Sequence, residues 1–150
     1  MLQRIQTLYL LAVVIMGISL LWLPVVEFVT PEGAEELQIW EVNALGGAPL
    51  PGLWGLTVAT LLIPVLALID IFLYNKRILQ ARLNIFTVML CLGWYGVLAI
   101  YIWQAKLALD IDWHILPWAS FPAVCLVLTM MATRRILKDE ALVRAADRIR

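Results

Sequence analysis

Four long apolar runs divide this sequence, and they decide which folds are open to it. The runs are close to 20 residues each and cover residues 8–26, 53–74, 85–103 and 115–132. A helix needs about 20 apolar residues to cross about 30 Å of hydrocarbon. Because lipid offers no partners to backbone groups, such runs cross it as helices. The sequence therefore predicts an all-α membrane protein in which residues 1–150 form a single domain, a bundle of four transmembrane helices.

The composition agrees with a lipid-facing exterior. Hydrophobic residues make up 63% of the chain and charged residues 15%, against about 45–50% and about 25% in soluble domains. Membrane topology accounts for the basic residues, so no stripe is left for a nucleic acid. Cys91 and Cys125 lie inside apolar runs and form no CxxC pair, which predicts buried thiols and no disulfide framework.

The basic residues indicate the orientation of the four spans. Ten of the eleven Lys and Arg residues fall on one side, before run one, between runs two and three, or after run four, and only Lys106 falls on the other. Cytoplasmic segments carry the excess of Lys and Arg. Run one is too long for the core of a secretory signal, and no small-x-small site follows it, so we expect a retained helix. The sequence thus predicts a multi-pass protein with both termini in the cytoplasm.

Tryptophan residues fit the same frame. Trp22, Trp54, Trp103 and Trp118 lie near the outer ends of the four runs, where indole rings favour the membrane–water interface. Trp94 lies deep inside run three and is predicted to be a packing residue.

The first outer loop, residues 28–52, is the longest. Residues 37–42 alternate in the way that a short strand does, and glycine and proline residues follow them. This pattern is compatible with a short β-hairpin over the outer helix ends.

Asp70 is the one acidic residue within a run. Intramembrane acids often mark functional sites, facing the bundle interior with a partner. The simpler interpretation is a structural ion pair with a snorkelling basic side chain, and we predict a pair between Asp70 and Arg77 or Arg4. A proton-coupled transporter usually has more acids at mid-depth, and this sequence has none there.

No residue pattern predicts an enzyme, a cofactor site or a metal site. His114, the single histidine, lies beside Asp112 and near Asp110, which is a weak ligand set compared with three- or four-ligand zinc sites. GxSxG, HExxH and Walker-type segments do not occur. Small residues spaced three or four apart, such as Gly93, Gly96 and Ala99, allow close helix packing and are compatible with an oligomer.

The tail, residues 133–150, is predicted to continue run four as a cytoplasmic helix. One face is apolar, and the other carries charges at the supportive four-residue spacing. Three readings remain open: the helix lies on anionic lipid, it packs on the chain's own inner loop at Ile78 and Leu79, or it docks a protein partner. For docking, the candidate residues are Ala141, Leu142, Arg144, Ala145, Arg148 and Ile149.

Three segments resemble a known family. The sequence opens with MLQRIQTLYLL (residues 1–11), its inner loop reads LYNKRILQARLN (residues 73–84), and it ends with KDEALVRAADRIR (residues 138–150). These segments look like those of a bacterial four-helix inner-membrane family known only as domain of unknown function 4293. The resemblance implies a bacterial inner membrane and supplies no activity, cofactor or catalytic residue.

The predicted function is therefore that of a non-enzymatic membrane subunit or scaffold, which binds a protein partner through its cytoplasmic face. A small transporter or channel is the alternative and needs a polar path through the bundle. A membrane enzyme is a third alternative and needs titratable groups that converge at one depth.

Overall fold

The computed structural model describes residues 3–30, 33–39, 53–74, 76–109 and 112–147. It contains four α-helices and three short strands, in the order α1 (Gln3–Leu20), β1 (Val26–Thr30), β2 (Gly33–Leu37), α2 (Leu53–Phe72), α3 (Arg77–Leu109), β3 (Asp112–Ile115) and α4 (Phe121–Asp147). A 3₁₀ turn, Pro117–Ser120, leads into α4. The predicted helical continuation of run four into the tail is confirmed as far as Asp147.

The helices pack in a ring. α1 contacts α2 and α4, and α3 contacts the same two helices from the opposite side. The start of α1, the end of α2, the start of α3 and the end of α4 lie together, and we call this the basic end because of its Lys and Arg residues. The three strands cover the other end, which we call the sheet end.

Three helical segments are long and apolar enough to cross a membrane: Trp54–Phe72, Arg77–Leu107 and Pro117–Val143. Ile5–Leu20 is a shorter apolar helix. The predicted span over residues 8–26 extends too far at its end. α1 begins at Gln3 and stops at Leu20, since Pro24 disfavours helical geometry at the residue before it. Val26 then begins β1.

The sheet is larger than predicted and lies earlier in the chain. β1 is its central strand, with β2 and β3 antiparallel on either side. The hairpin therefore joins β1 and β2, where Gly33 takes the positive φ that favours glycine. Leu37, predicted to begin a strand, ends β2, and residues 40–42 lie outside the described residues. Ile115, predicted to open span four, ends β3.

Side chains separate into a buried interior and an apolar exterior. Trp94, Phe28, Leu56 and Ile63 are among the large buried residues, and both cysteines are buried as predicted. Many large apolar residues point outward along all four helices. Soluble monomers rarely expose apolar patches of more than a few hundred Å², so this exterior suits hydrocarbon.

Candidate functional site

Asp70 lies near the end of α2 with its side chain only 1% exposed. Asn84 and Gln80, both on α3, are the side chains that neighbour its carboxyl group. Within the described residues, neither carboxylate oxygen has a hydrogen-bond partner, and the Asn84 Nδ2 has none either. Asp70, Gln80 and Asn84 form a buried polar cluster in the α2–α3 interface.

The main chain around Asp70 is better satisfied. Gln80 Nε2 donates to the main-chain carbonyl of Asp70 at 3.1 Å. That carbonyl, in the last turn of α2, also accepts the Leu73 N–H at 3.2 Å. Gln80 adds a second hydrogen bond from α3 and thereby links the two helices at the basic end.

Asp139 joins three helices at the same end. Gln6 Nε2, on α1, donates to Asp139 Oδ2 at 2.9 Å. Arg77 Nη1, on α3, donates to the Asp139 carbonyl oxygen at 3.5 Å. Arg77 thus reaches α4 in this structure, and its pairing with Asp70 stays a prediction. The side chain of Arg4 lies outside the described part of the chain, so its pairing with Asp70 stays a prediction.

Sequence reasoning missed Gln6, Gln80 and Asn84, which are at most 7% exposed. The signal was available, since each is an uncharged polar residue next to apolar neighbours on a helix. Such residues hydrogen-bond across helices in lipid. The sequence did not show that α1 lies beside α4 or that α2 lies beside α3.

A narrow cleft opens beside these residues. Its volume is about 20 Å³, and its lining includes Gln6, Tyr74, Arg77, Gln80 and Asp139. A cavity of about 10–15 Å³ is enough to hold one water molecule. The cleft is therefore large enough for a bridging water molecule and too small for a solute.

The predicted docking residues at the end of α4 are open to solvent where the structure describes them. Ala141 and Ala145 are exposed, and Leu142 is 56% exposed. The side chain of Arg144, together with Arg148 and Ile149, lies outside the described residues. Ile78 and Leu79, the proposed landing site for the tail, remain 49% and 42% exposed.

A groove runs between the start of α3 and the end of α4. One part has a volume of about 510 Å³ and is lined by Lys76, Arg77, Ile78, Leu79, Arg82, Glu140 and Val143. An adjoining part of about 390 Å³ shares four of these residues and adds Ala81, Ile85, Leu137 and Ala141. We call the two parts together the α3–α4 groove.

Comparison with the sequence profiles of known families shows which family this chain belongs to. The sequence profile described as "Domain of unknown function (DUF4293)" matches residues 2–149. The chain belongs to the DUF4293 family. No curated protein and no solved structure matches it.

The fold explains why three distant DUF4293 segments go together. Gln6 comes from residues 1–11, Arg77 and Gln80 come from residues 73–84, and Asp139 comes from residues 138–150. Hydrogen bonds from Gln6 and Arg77 to Asp139 join the three segments at the basic end, and Gln80 bonds to Asp70 beside them. The basic end is the candidate functional site of the DUF4293 chain.

The described residues at the sheet end do not form a metal site. His114 is exposed on β3, opposite Glu27 of β1. Among the described residues, no three His, Cys, Asp or Glu side chains come together as metal ligands would. Asp110, the third member of the weak ligand set, lies outside those residues.

Proposed function

We propose that this DUF4293 protein is a non-enzymatic membrane subunit that crosses the bilayer four times and binds a protein partner through the end of α4. The proposal depends on the exposed apolar stripe formed by Ala141, Leu142 and Ala145, on the part of α4 that follows Arg134 and Arg135. From Arg134 to Asp147 the helix extends about 21 Å at about 1.5 Å per residue. An anchor for span four alone needs only the first basic residues of that extension.

Lipid binding by itself accounts poorly for this extension. It includes Asp139, Glu140 and Asp147 among its basic residues, and anionic lipid attracts only the basic ones. A helix that docks in a partner's groove needs an apolar stripe flanked by charges. The exposure of Ile78 and Leu79, which lie in the first turn of α3 and not in a loop, supports docking over a clasp of the tail on these two residues.

Four crossings are supported by the ring of helices and by their lengths. α3 carries an uncharged stretch from residue 83 to 105, about 34 Å at about 1.5 Å per residue. α1 is shorter, but it contacts α4 near its start, where Gln6 bonds to Asp139, and α2 near its end, where Gly17 lies against Pro64. Trp22, Trp54, Trp103 and Trp118 are exposed near the sheet end, as expected for an interfacial belt.

The positive-inside rule orients the basic end toward the cytoplasm, and the family resemblance points to a bacterial inner membrane. A phosphatase that is active only in the periplasm tests this orientation. Fused within residues 32–41 it should be active, and fused after Arg150 it should be inactive. The reverse pattern would overturn the topology.

The transporter alternative needs a polar path through the ring. At mid-depth, Thr129 donates to the Cys125 carbonyl oxygen one turn earlier on its own helix, and Thr60 donates to that of Leu56. Both hydroxyl groups are thus engaged, and the cleft of about 20 Å³ beside Gln6, Gln80 and Asp139 is too small for a solute. These features favour the binding role over transport.

The docking proposal is tested by changing the stripe without shortening the helix. Leu142→Glu combined with Ala145→Glu should abolish co-purification of one specific protein from native membranes in mild detergent, with folded yield intact. Lys138→Gln, an exposed change on the same helix, is the matched control and should retain the partner. If the stripe variant retains every partner of the parent, or if the parent elutes alone and conducts solute in proteoliposomes, the proposal is wrong.

A further inference from the structure

The α3–α4 groove changes character along its length. Lys76, Arg77 and Arg82 line its first part, with Glu140 as the single carboxylate among them. The adjoining part, further along the helices, shares Arg77, Arg82 and Glu140 with the first part but lacks Lys76 and adds the apolar residues Ala81, Ile85 and Leu137. From Arg77 to Ile85 the change takes place over about 12 Å of helix.

Both parts of the groove are accessible. Lys76 and Arg82 are exposed, and Arg77 is half-buried beside Asp139. Ile85 and Leu137 are 56% and 51% exposed. The groove therefore presents cations at the basic end and an open apolar wall toward the middle of the bundle.

We propose that the α3–α4 groove binds an anionic phospholipid from the leaflet at the basic end. The phosphate lies among Lys76, Arg77 and Arg82, and one acyl chain lies along Ala81, Ile85 and Leu137. Basic pockets between transmembrane helices hold anionic headgroups in this way. This inference concerns the groove, which shares only Ala141 with the exposed stripe at the end of α4, and it goes beyond partner docking.

The order of the lining residues favours lipid over the other occupants. A phospholipid places its charge at the interface and its apolar part deeper, in the same direction as the groove. Free phosphate would use the basic part and leave the apolar wall uncovered. A helix of a partner protein would have to change from acidic to apolar residues within about 12 Å, about two helical turns, to match the lining of the groove.

The test uses the full chain purified in a neutral detergent and delipidated. Native mass spectrometry would measure bound dioleoyl phosphatidylglycerol, with dioleoyl phosphatidylcholine as the neutral comparison. We expect strong preference for phosphatidylglycerol. The Lys76→Gln/Arg82→Gln variant should bind it about 30-fold more weakly, from two headgroup contacts of ordinary strength. Arg134→Gln/Arg135→Gln, the same charge change at exposed positions outside the groove, should bind it as the parent does.

Two further measurements separate this proposal from its rivals. Ile85→Trp fills the apolar part without changing charge and should weaken phosphatidylglycerol binding. Glycerol phosphate should fail to compete at concentrations that match the lipid. Equal binding of the two lipids, equal loss in the two charge variants, or full competition by glycerol phosphate would each overturn the proposal. As a control for folding, each delipidated variant should have the same melting temperature as the delipidated parent.

Discussion

The indole N–H of Trp94, on α3, donates a 2.7 Å hydrogen bond to the hydroxyl oxygen of Thr60, on α2. Thr60 in turn donates to the Leu56 carbonyl oxygen at 2.8 Å. Trp94 and Thr60 are both fully buried. In an apolar surrounding this pair fixes the rotation of α3 against α2, because no other described group takes the indole proton.

Replacing Thr60 with Val should therefore destabilise the bundle while keeping its volume. The indole N–H loses its acceptor, and hydrogen bonds between helices in lipid contribute about 0.6–2 kcal/mol. The apparent melting temperature in detergent should fall for Thr60→Val and stay close to the parent for Thr60→Ser. A Thr60→Val protein as stable as Thr60→Ser would show that the bond contributes nothing.

Gly17 and Pro64 set the distance between α1 and α2. A Cβ atom at Gly17 would lie 2.9 Å from Pro64 Cδ, closer than carbon atoms approach. Gly17→Ala must push the helices apart, and such overpacking costs about 1–3 kcal/mol. Gly96→Ala is the matched control, since nothing lies within 4 Å of its added Cβ. Thermal unfolding of both variants in the same detergent checks the difference, and equal melting would contradict the predicted contact.

Tyr95 replaces one helical hydrogen bond at the start of α4. Its Oη donates to the Ala119 carbonyl oxygen at 2.7 Å and accepts from the Ala123 N–H at 3.0 Å. In a regular helix these two backbone groups bond to each other. Tyr95→Phe leaves both without this partner, so we expect a loss of about 1–3 kcal/mol. Hydrogen exchange at Ala123 should rise in the variant, and unchanged protection would refute the bridging role.

Asp70 provides a test of the buried polar cluster. Asp70→Ala removes the carboxyl group, opens a cavity and leaves Asn84 without its polar neighbour, so folded yield and melting temperature should fall. Asp70→Asn keeps the shape and a hydrogen-bonding group beside Asn84, and its loss should be smaller. Three proteins that melt together would mean that Asp70 makes no contribution at all. If Asp70→Asn lowered the melting temperature as much as Asp70→Ala, the negative charge itself would be needed, as in a pair with Arg4.

Length and apolarity determined the helical part of this protein from the sequence alone. A run of about 20 apolar residues has one stable backbone conformation in lipid, the helix. The burial of Trp94 and of the cysteines and the helical tail were predictable from the residues next to them in the sequence. The positions of α2, α3 and α4 were predictable for that reason. Asp70 was also identified as unusual, since a single acid in an apolar run is visible without any fold.

Tertiary structure alone decided the ends of the runs and the composition of the sites. Val26 belongs to a strand because β1 pairs with β3, more than 80 residues away, and such non-local pairing leaves no periodic trace in the run itself. Gln6 meets Asp139 across 133 positions, and the groove exists only because the start of α3 lies beside the end of α4. Helix propensity and hydropathy act over neighbouring residues, whereas these contacts depend on which helices lie side by side.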